Sequence, residues 1–178
     1  MVQATDDMIV SRRVQGRSKG FSAAIFLSSD SGNVTIGSPN LLRINGGTLK
    51  VAAGQTATIS NAIVGHSRGG GGVRVDAPTV VLGPRVQLNA NNDGNAPGLC
   101  FNATAGDLTL NGTFLAHGGG EDIVGLATGN LIANGVLRAA PGGCIALTAG
   151  GAIDTSAASF DTPLLSSCSA GCVNFSPP

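Results

Sequence analysis

Apolar and polar residues alternate along most of this chain in short runs, each closed by glycine, proline or asparagine. Two residues apart on a strand means one face, so each alternating pair points a single way. The pairs Ile25/Leu27, Leu49/Val51, Val73/Val75, Phe101/Ala103, Val124/Leu126 and Ile145/Leu147 recur at steps of 24, 24, 28, 23 and 21 residues. A second pair follows in the more regular copies, at Val80/Leu82, Leu108/Leu110 and Leu131/Ala133, with Ala57/Ile59 one residue late. A third follows at Val86/Leu88, Phe114/Ala116 and Leu137/Ala139. The period predicts about three strands and three corners per copy, and about six copies. Helix signals are almost absent.

One such copy cannot stand alone. It buries five or six side chains at roughly 1.5–3 kcal/mol each, while ordering some two dozen residues costs roughly 1–2 kcal/mol apiece in backbone entropy. Copies stacked about 4.8 Å apart share hydrogen bonds above and below and align like side chains inside. The expected fold is therefore all-β: a right-handed parallel β-helix, or solenoid, of about six three-stranded coils. Ile25, Leu49, Val73, Phe101, Val124 and Ile145 are expected in one interior column. Residues 1–20 match no repeat and read as a lead or cap, 21–158 as the β-helix, and 159–178 as a C-terminal cap.

Composition narrows the function classes. Ten basic and ten acidic residues among 178 leave no net charge, which removes the general basic field that nucleic-acid binding needs. No apolar run approaches the roughly 18 residues of a membrane-spanning helix. Twenty-eight glycines are expected to supply positive-φ corners. The run Gly69–Gly72 lacks the Lys-Ser/Thr of a phosphate loop, and no Gly-x-Ser-x-Gly elbow occurs, so neither a cofactor nor catalysis is expected.

From His66 onward one corner enlarges, at His66–Gly72, Asn89–Pro97 and His117–Asp122, before shrinking at Pro141–Gly143. By the period these corners leave the third strand of successive coils and stack on one edge, the usual place for contacts in a repeat protein. His66, Arg68, Asn91, Asn92, Asp93, His117, Glu121 and Asp122 are the candidate ligand-contact residues. A metal or acid–base site there is the sharper alternative; exposed polar residues in Gly-rich loops is the reading preferred. Asp76, Asp107 and Asp154 sit at corner-like positions suited to bonding their own backbone. An outward row of Val81, Thr109 and Ile132, with Ile153 beside it if the register slips, suggests a covered or contacting face.

Four cysteines are present. Cys100 and Cys144 read as equivalent positions two coils apart, about 9.6 Å by the strand spacing, beyond the roughly 7 Å limit of a bridge. No Cys100–Cys144 disulfide is expected. Cys168 and Cys172 are the candidate pair, closing a turn in the tail. Their spacing is not a zinc pattern, and no metal is expected.

The phrases Gly106-Asp-Leu-Thr-Leu-Asn-Gly-Thr-Phe-Leu-Ala116, Gly129-Asn-Leu-Ile-Ala-Asn-Gly-Val-Leu-Arg-Ala139 and Ile145-Ala-Leu-Thr-Ala-Gly-Gly-Ala-Ile-Asp-Thr-Ser156 resemble repeats of filamentous-haemagglutinin-like adhesins of the two-partner-secretion type. That resemblance implies a right-handed parallel β-helix that is extracellular or on a bacterial cell surface. It implies a non-catalytic adhesin-like or structural role. The partner would be a glycan or protein of a host or neighbouring cell, or copies of the chain stacked end to end. Similar Gly-x-Leu phrases occur in pectate-lyase-like enzymes and phage tail proteins. The alternative is thus a polysaccharide-acting lyase or glycosidase, or a tail-type glycan binder. Such sites favour aromatic faces for the sugar, and the chain has neither Trp nor Tyr.

Overall fold

The computed structural model describes residues 1–17, 24–37, 42–45, 47–65, 72–91, 98–117, 122–139 and 143–161. The chain opens with β1 (Val2–Ala4), β2 (Met8–Val10) and β3 (Val14–Arg17), followed by β4 (Ala24–Ser29), β5 (Val34–Ile36) and β6 (Leu42–Asn45). The next two coils each merge their second and third strands, giving β7 (Thr48–Ala52) with β8 (Thr56–Gly65), then β9 (Val73–Ala77) with β10 (Thr79–Asn91). Three strands per coil return in β11 (Leu99–Ala103), β12 (Leu108–Leu110) and β13 (Thr113–His117), and in β14 (Ile123–Ala127), β15 (Leu131–Ala133) and β16 (Val136–Ala139). The last described coil holds β17 (Ile145–Ala149), β18 (Ile153–Asp154) and β19 (Ser159–Phe160).

Every strand pairing is parallel and joins one coil to the next, so the protein is a parallel β-solenoid. The first strands form a seven-stranded sheet; the second and third strands form a twelve-stranded sheet joined through β8 and β10. Among the described residues, five inner coils lie between an end coil at each terminus. Residues 1–20, which the period did not capture, hold β1, β2 and β3. These pair in register with β4, β5 and β6, so this stretch supplies the first coil. The expected C-terminal cap from 159 begins with β19, paired to β16; residues beyond 161 lie outside those described.

The interior column differs from the expected one in two members. Pairing runs Ile25, Leu49, Val73, Leu99, Ile123, Ile145, with steps of 24, 24, 26, 24 and 22. Phe101 lies one column over, with Leu27, Val51, Val75, Gly125 and Leu147. Val124 points outward beside Cys100 and Ala146. The strand β14 reads Ile-Val-Gly-Leu-Ala, apolar at both parities, and alternation alone cannot orient such a run. What decides is packing. The Phe101 ring enters the core edge-to-face with Phe114, centroids 5.3 Å apart. The next rung answers with Gly125, whose missing side chain leaves room that leucines occupy: a Cβ there would lie 2.9 Å from Leu147 Cδ2 and 3.2 Å from Leu108 Cδ2. A third column is small throughout: Ala4, Ser29, Ala77, Ala103, Ala127 and Ala149. Small residues let the chain turn there into the first corner.

The second-strand pairs align as expected, with Ala57, Val80, Leu108 and Leu131 in one column and Ile59, Leu82, Leu110 and Ala133 in the next. Between Leu82 and Arg85 the register shifts. Gly83 and Pro84 face the single residue Ser60, a bulge that carries β10 through the corner without ending it. The outward row on this sheet is Ile9, Thr35, Thr58, Val81, Thr109, Ile132 and Asp154. Ile153 does not join it: it pairs with Leu131 and continues an interior column.

Glycine serves here mainly through close approach. Among the described residues only Gly47 has positive φ, at 88°. Elsewhere the corner backbone lies against an adjoining coil: a Cβ on Gly98 would sit 2.2 Å from the Asp122 carbonyl oxygen on the next one. Corner polar groups bridge coils as well. Asp7 Oδ1 accepts from the Asn33 amide at 2.8 Å, and Asn33 Oδ1 accepts from the Thr56 amide at 3.1 Å. Farther along, Asp107 Oδ1 accepts from the Asn130 amide at 2.6 Å, and Asn130 Oδ1 from the Ala152 amide at 3.0 Å. Asp107→Ala is expected to cost about 0.5–1.5 kcal/mol in urea unfolding, while Asp107→Asn, which keeps an acceptor, loses less. Equal losses for both would remove the bridging role.

Candidate functional site

The third strands set the geometry of the loop-bearing edge. Val64, Leu88, Phe114 and Leu137 stack in one interior column, and beyond it Asn91 pairs directly with His117. The enlarged corners therefore leave the solenoid at superposed points. They re-enter the first sheet at superposed points too: the Val73 amide donates to the Gly98 carbonyl, Leu99 to Asp122, and Ile123 to Cys144. The corners begin later than the composition suggests. The strand β10 runs through Asn91 and β13 through His117, and the two strands stay in register to that point.

Of the candidate contact residues, His66, Arg68, Asn92, Asp93 and Glu121 lie outside the described residues. Asn91 and His117 are brought together in register at the strand ends. Asp122 does not belong to an open site. Its Oδ1 accepts the Cys144 backbone N–H at 2.9 Å and its carbonyl accepts Leu99 N–H at 2.9 Å, so it clips three coils together. Among the described residues no group of three or more His, Cys, Asp or Glu is placed to hold a metal ion.

Beside the edge lies a shallow pocket of about 140 Å³ lined by Ile63, Val64, Gln87, Leu88, Asn89, Thr113 and Leu115. Asn89 Oδ1 is buried there, and among the described residues it has no hydrogen-bond partner. An unmade bond on a buried acceptor costs about 1–3 kcal/mol, so a donor from water or a ligand would be welcome at that point. The sequence had Asn89 only as the first residue of a corner. Its place on the strand, two positions before Asn91, is what aims it at the neighbouring coils.

The three corner-type aspartates have separate structural roles. Asp76 pairs with Arg74, whose Nε donates at 2.6 Å and Nη2 at 2.9 Å, on the outer face of the first sheet. Asp107 bonds the next coil, as above, rather than its own turn. Asp154 accepts from the Ser156 amide at 3.0 Å and hydroxyl at 2.7 Å, bonds that hold its carboxyl below the ordinary range. A lowered folded-state value means its small contribution is present above the unfolded pKa and lost as pH falls through the folded one.

The expectation for Cys100 and Cys144 needs revision in part. Cys100 pairs with Val124 and thence with Ala146, so Cys144 lies two coils away and two residues earlier, not at an equivalent position. Each of the two is nonetheless disulfide-bonded. Among the described residues no cysteine is free. Cys168 and Cys172, expected as a local pair, lie outside the described residues.

No family model, no curated protein and no solved structure matches this chain. The fold thus rests on the strand pairing itself.

Proposed function

We propose that this chain is a non-catalytic extracellular or cell-surface β-solenoid that engages its partner along the loop-bearing edge, as adhesins do. The observation that carries this reading is the superposition of loop exits, with Asn91 on His117, which builds one extended contact surface from successive coils. Two further features support it. The described carboxylates Asp76, Asp107, Asp122 and Asp154 each accept hydrogen bonds within the fold. Disulfide-bonded Cys100 and Cys144 fit an oxidising compartment. The resemblance to filamentous-haemagglutinin-like repeats points the same way, and the partner class is a cell-surface glycan or protein.

The test is binding of the purified protein to arrayed glycans and to intact cells, beside a variant in which residues 92–97 are replaced by Gly-Ser. Binding that drops at least about tenfold, with unfolding unchanged, is the expected result. Release of soluble fragments from a polysaccharide, abolished by His117→Ala or Asp93→Ala, would replace this reading with the lyase or glycosidase one.

End-to-end stacking is a second reading with its own observation. Ile153 continues the column of Val34, Ala57, Val80, Leu108 and Leu131, all fully buried, yet is 48 % exposed on the last described rung. Parallel rungs from a second copy would extend that column. Electron microscopy of concentrated protein decides: axial filaments support stacking, and discrete single particles exclude it.

A further inference from the structure

We propose that the outer face of the second strands is an ice-binding surface, carried by the stacked row Thr35, Thr58, Val81, Thr109 and Ile132. This does not depend on the loop-edge reading, because the enlarged corners leave the third strands. The row is continuous: Thr35 pairs with Thr58, Thr58 with Val81, Val81 with Thr109 and Thr109 with Ile132. No register shift interrupts it, since the bulge in β10 comes after Leu82. All five residues are β-branched and none is charged.

The row stands open to solvent. Each of the five is partly exposed, between strand neighbours that are buried in the core. The outer face of the first sheet differs, with Cys100 at 2 % and Val124 at 5 % exposed. Two residues earlier on the same strands a second row runs Asn33, Thr56, Thr79, Asp107 and Asn130, with Thr56 paired to Thr79. Its longer polar ends turn along the stack: Asn33, Asp107 and Asn130 each offer a side-chain oxygen to a backbone amide of the next coil. The middle of the strip thus presents hydroxyls and methyls, from Thr35, Thr56, Thr58, Thr79 and Val81, extended by Thr109 and Ile132.

Geometry supplies the ligand class. Rungs about 4.8 Å apart, and outward residues about 6.6 Å apart along a strand, make a two-dimensional net. Oxygen rows on a prism face of hexagonal ice repeat at spacings close to both. Branching at Cβ restricts χ1, so the net is held in place before ice arrives and binding has little left to order. Methyl groups restrict the orientation of first-shell water, and threonine hydroxyls anchor that water by hydrogen bonds. Water fixed at lattice positions then joins a growing crystal without rearrangement. Other occupants fit less well. A stable protein interface needs roughly 800 Å² per partner, while the row from Thr35 to Ile132 spans about 19 Å and the strip is about 7 Å wide. Protein contacts also centre on Trp, Tyr or Arg anchors, and sugar surfaces favour aromatic faces; the two rows hold none of these.

The test is capture of the purified full chain by a slowly grown ice front, with serum albumin as the excluded reference. Wild-type protein should enter the ice and facet single crystals. Thr58→Lys, which sets a long charged side chain in the middle of the net, should fall to the albumin level with its unfolding transition unchanged. Thr109→Lys should do the same, and it carries the test if Thr58→Lys does not fold. Thr148→Lys, at an exposed outward position on β17, should be captured like the wild type. Exclusion of the wild type from ice would overturn the proposal, as would equal capture of the wild type and Thr58→Lys. Binding to crystalline cellulose or chitin, or self-association, that Thr58→Lys abolishes in place of ice capture would also overturn it, by giving the strip to a polysaccharide or a second copy.

Discussion

Phe101→Ala is expected to cost about 3–5 kcal/mol in global stability. The ring is fully buried, stands in a column between Val75 and Gly125, and meets Phe114 edge-to-face at 5.3 Å. No neighbour can refill the space, because Leu108, Leu131 and Leu147 already occupy the room above Gly125. Paired with Phe114→Ala in a double-mutant cycle, the two rings should show a coupling of about 0.5–1.5 kcal/mol beyond their separate losses. Guanidinium unfolding monitored by far-UV circular dichroism measures both. A single-variant loss below about 1 kcal/mol would mean that the ring is not inside.

Gly135→Ala should come near it, although the change adds a single carbon. A Cβ at Gly135 would lie 2.0 Å from the Gly112 carbonyl oxygen and 3.0 Å from the Asn111 carbonyl carbon, all of it backbone. That backbone is committed: the Val136 amide donates to Gly112 O at 2.9 Å, and the Asn134 amide to Leu110 O at 2.9 Å. Relief requires coils to separate at this corner, and a loss at or above the roughly 3 kcal/mol upper end for overpacking is expected. Gly37→Ala is the internal control, since nothing lies within 4 Å of its Cβ position and its φ is not positive. It should leave stability unchanged within about 0.5 kcal/mol. Similar losses at both glycines would mean that chain flexibility, not inter-coil contact, selects glycine here.

These two sites also mark where the amino-acid pattern was informative and where it stopped. Alternation at Leu49/Val51, Val73/Val75 and Leu108/Leu110 is clean because one face is apolar and the other carries Lys50, Arg74 or Thr109. Such strands declare their faces, and their alignment was legible. In β11 and β14 the outward positions Cys100 and Val124 are apolar as well, so period two persists but its phase is lost. Alternation aligns Phe101 with Val73 as readily as with Val75, and the size that decides its column is balanced by Gly125 on the adjoining rung. Compensation of that kind couples residues 24 apart and leaves no local trace. Residues 1–20 escaped for a related reason. In this first described coil Val2, on the interior column of Leu27, is 57 % exposed, and the outward-facing Ile9 is apolar at 69 % exposed, so apolar residues do not mark the inner face and the pattern is weak.

The loop edge was legible in its position and not in its detail. Corner enlargement after the third strand predicted where the loops would leave, and the Asn91–His117 pairing agrees. The structural task of Asp122 could not be read beforehand, since the amide it accepts belongs to Cys144, a full coil later. The register of the cysteines was hidden too: Cys100 and Cys144 each follow a corner that ends in glycine, at Gly98 and Gly143, yet the residue two coils on from Cys100 is Ala146.

The central claim is the parallel stack with Leu99 on Ile123 and Phe101 on Gly125, and nuclear Overhauser contacts test it most directly. On isotope-labelled protein, amide and Hα protons of Val73, Leu99, Ile123 and Ile145 should show inter-strand contacts in evenly spaced parallel order, each linking one coil to the next. Close Hα–Hα contacts between strands, the mark of antiparallel pairs, or contacts placing Phe101 on Val124, would contradict it.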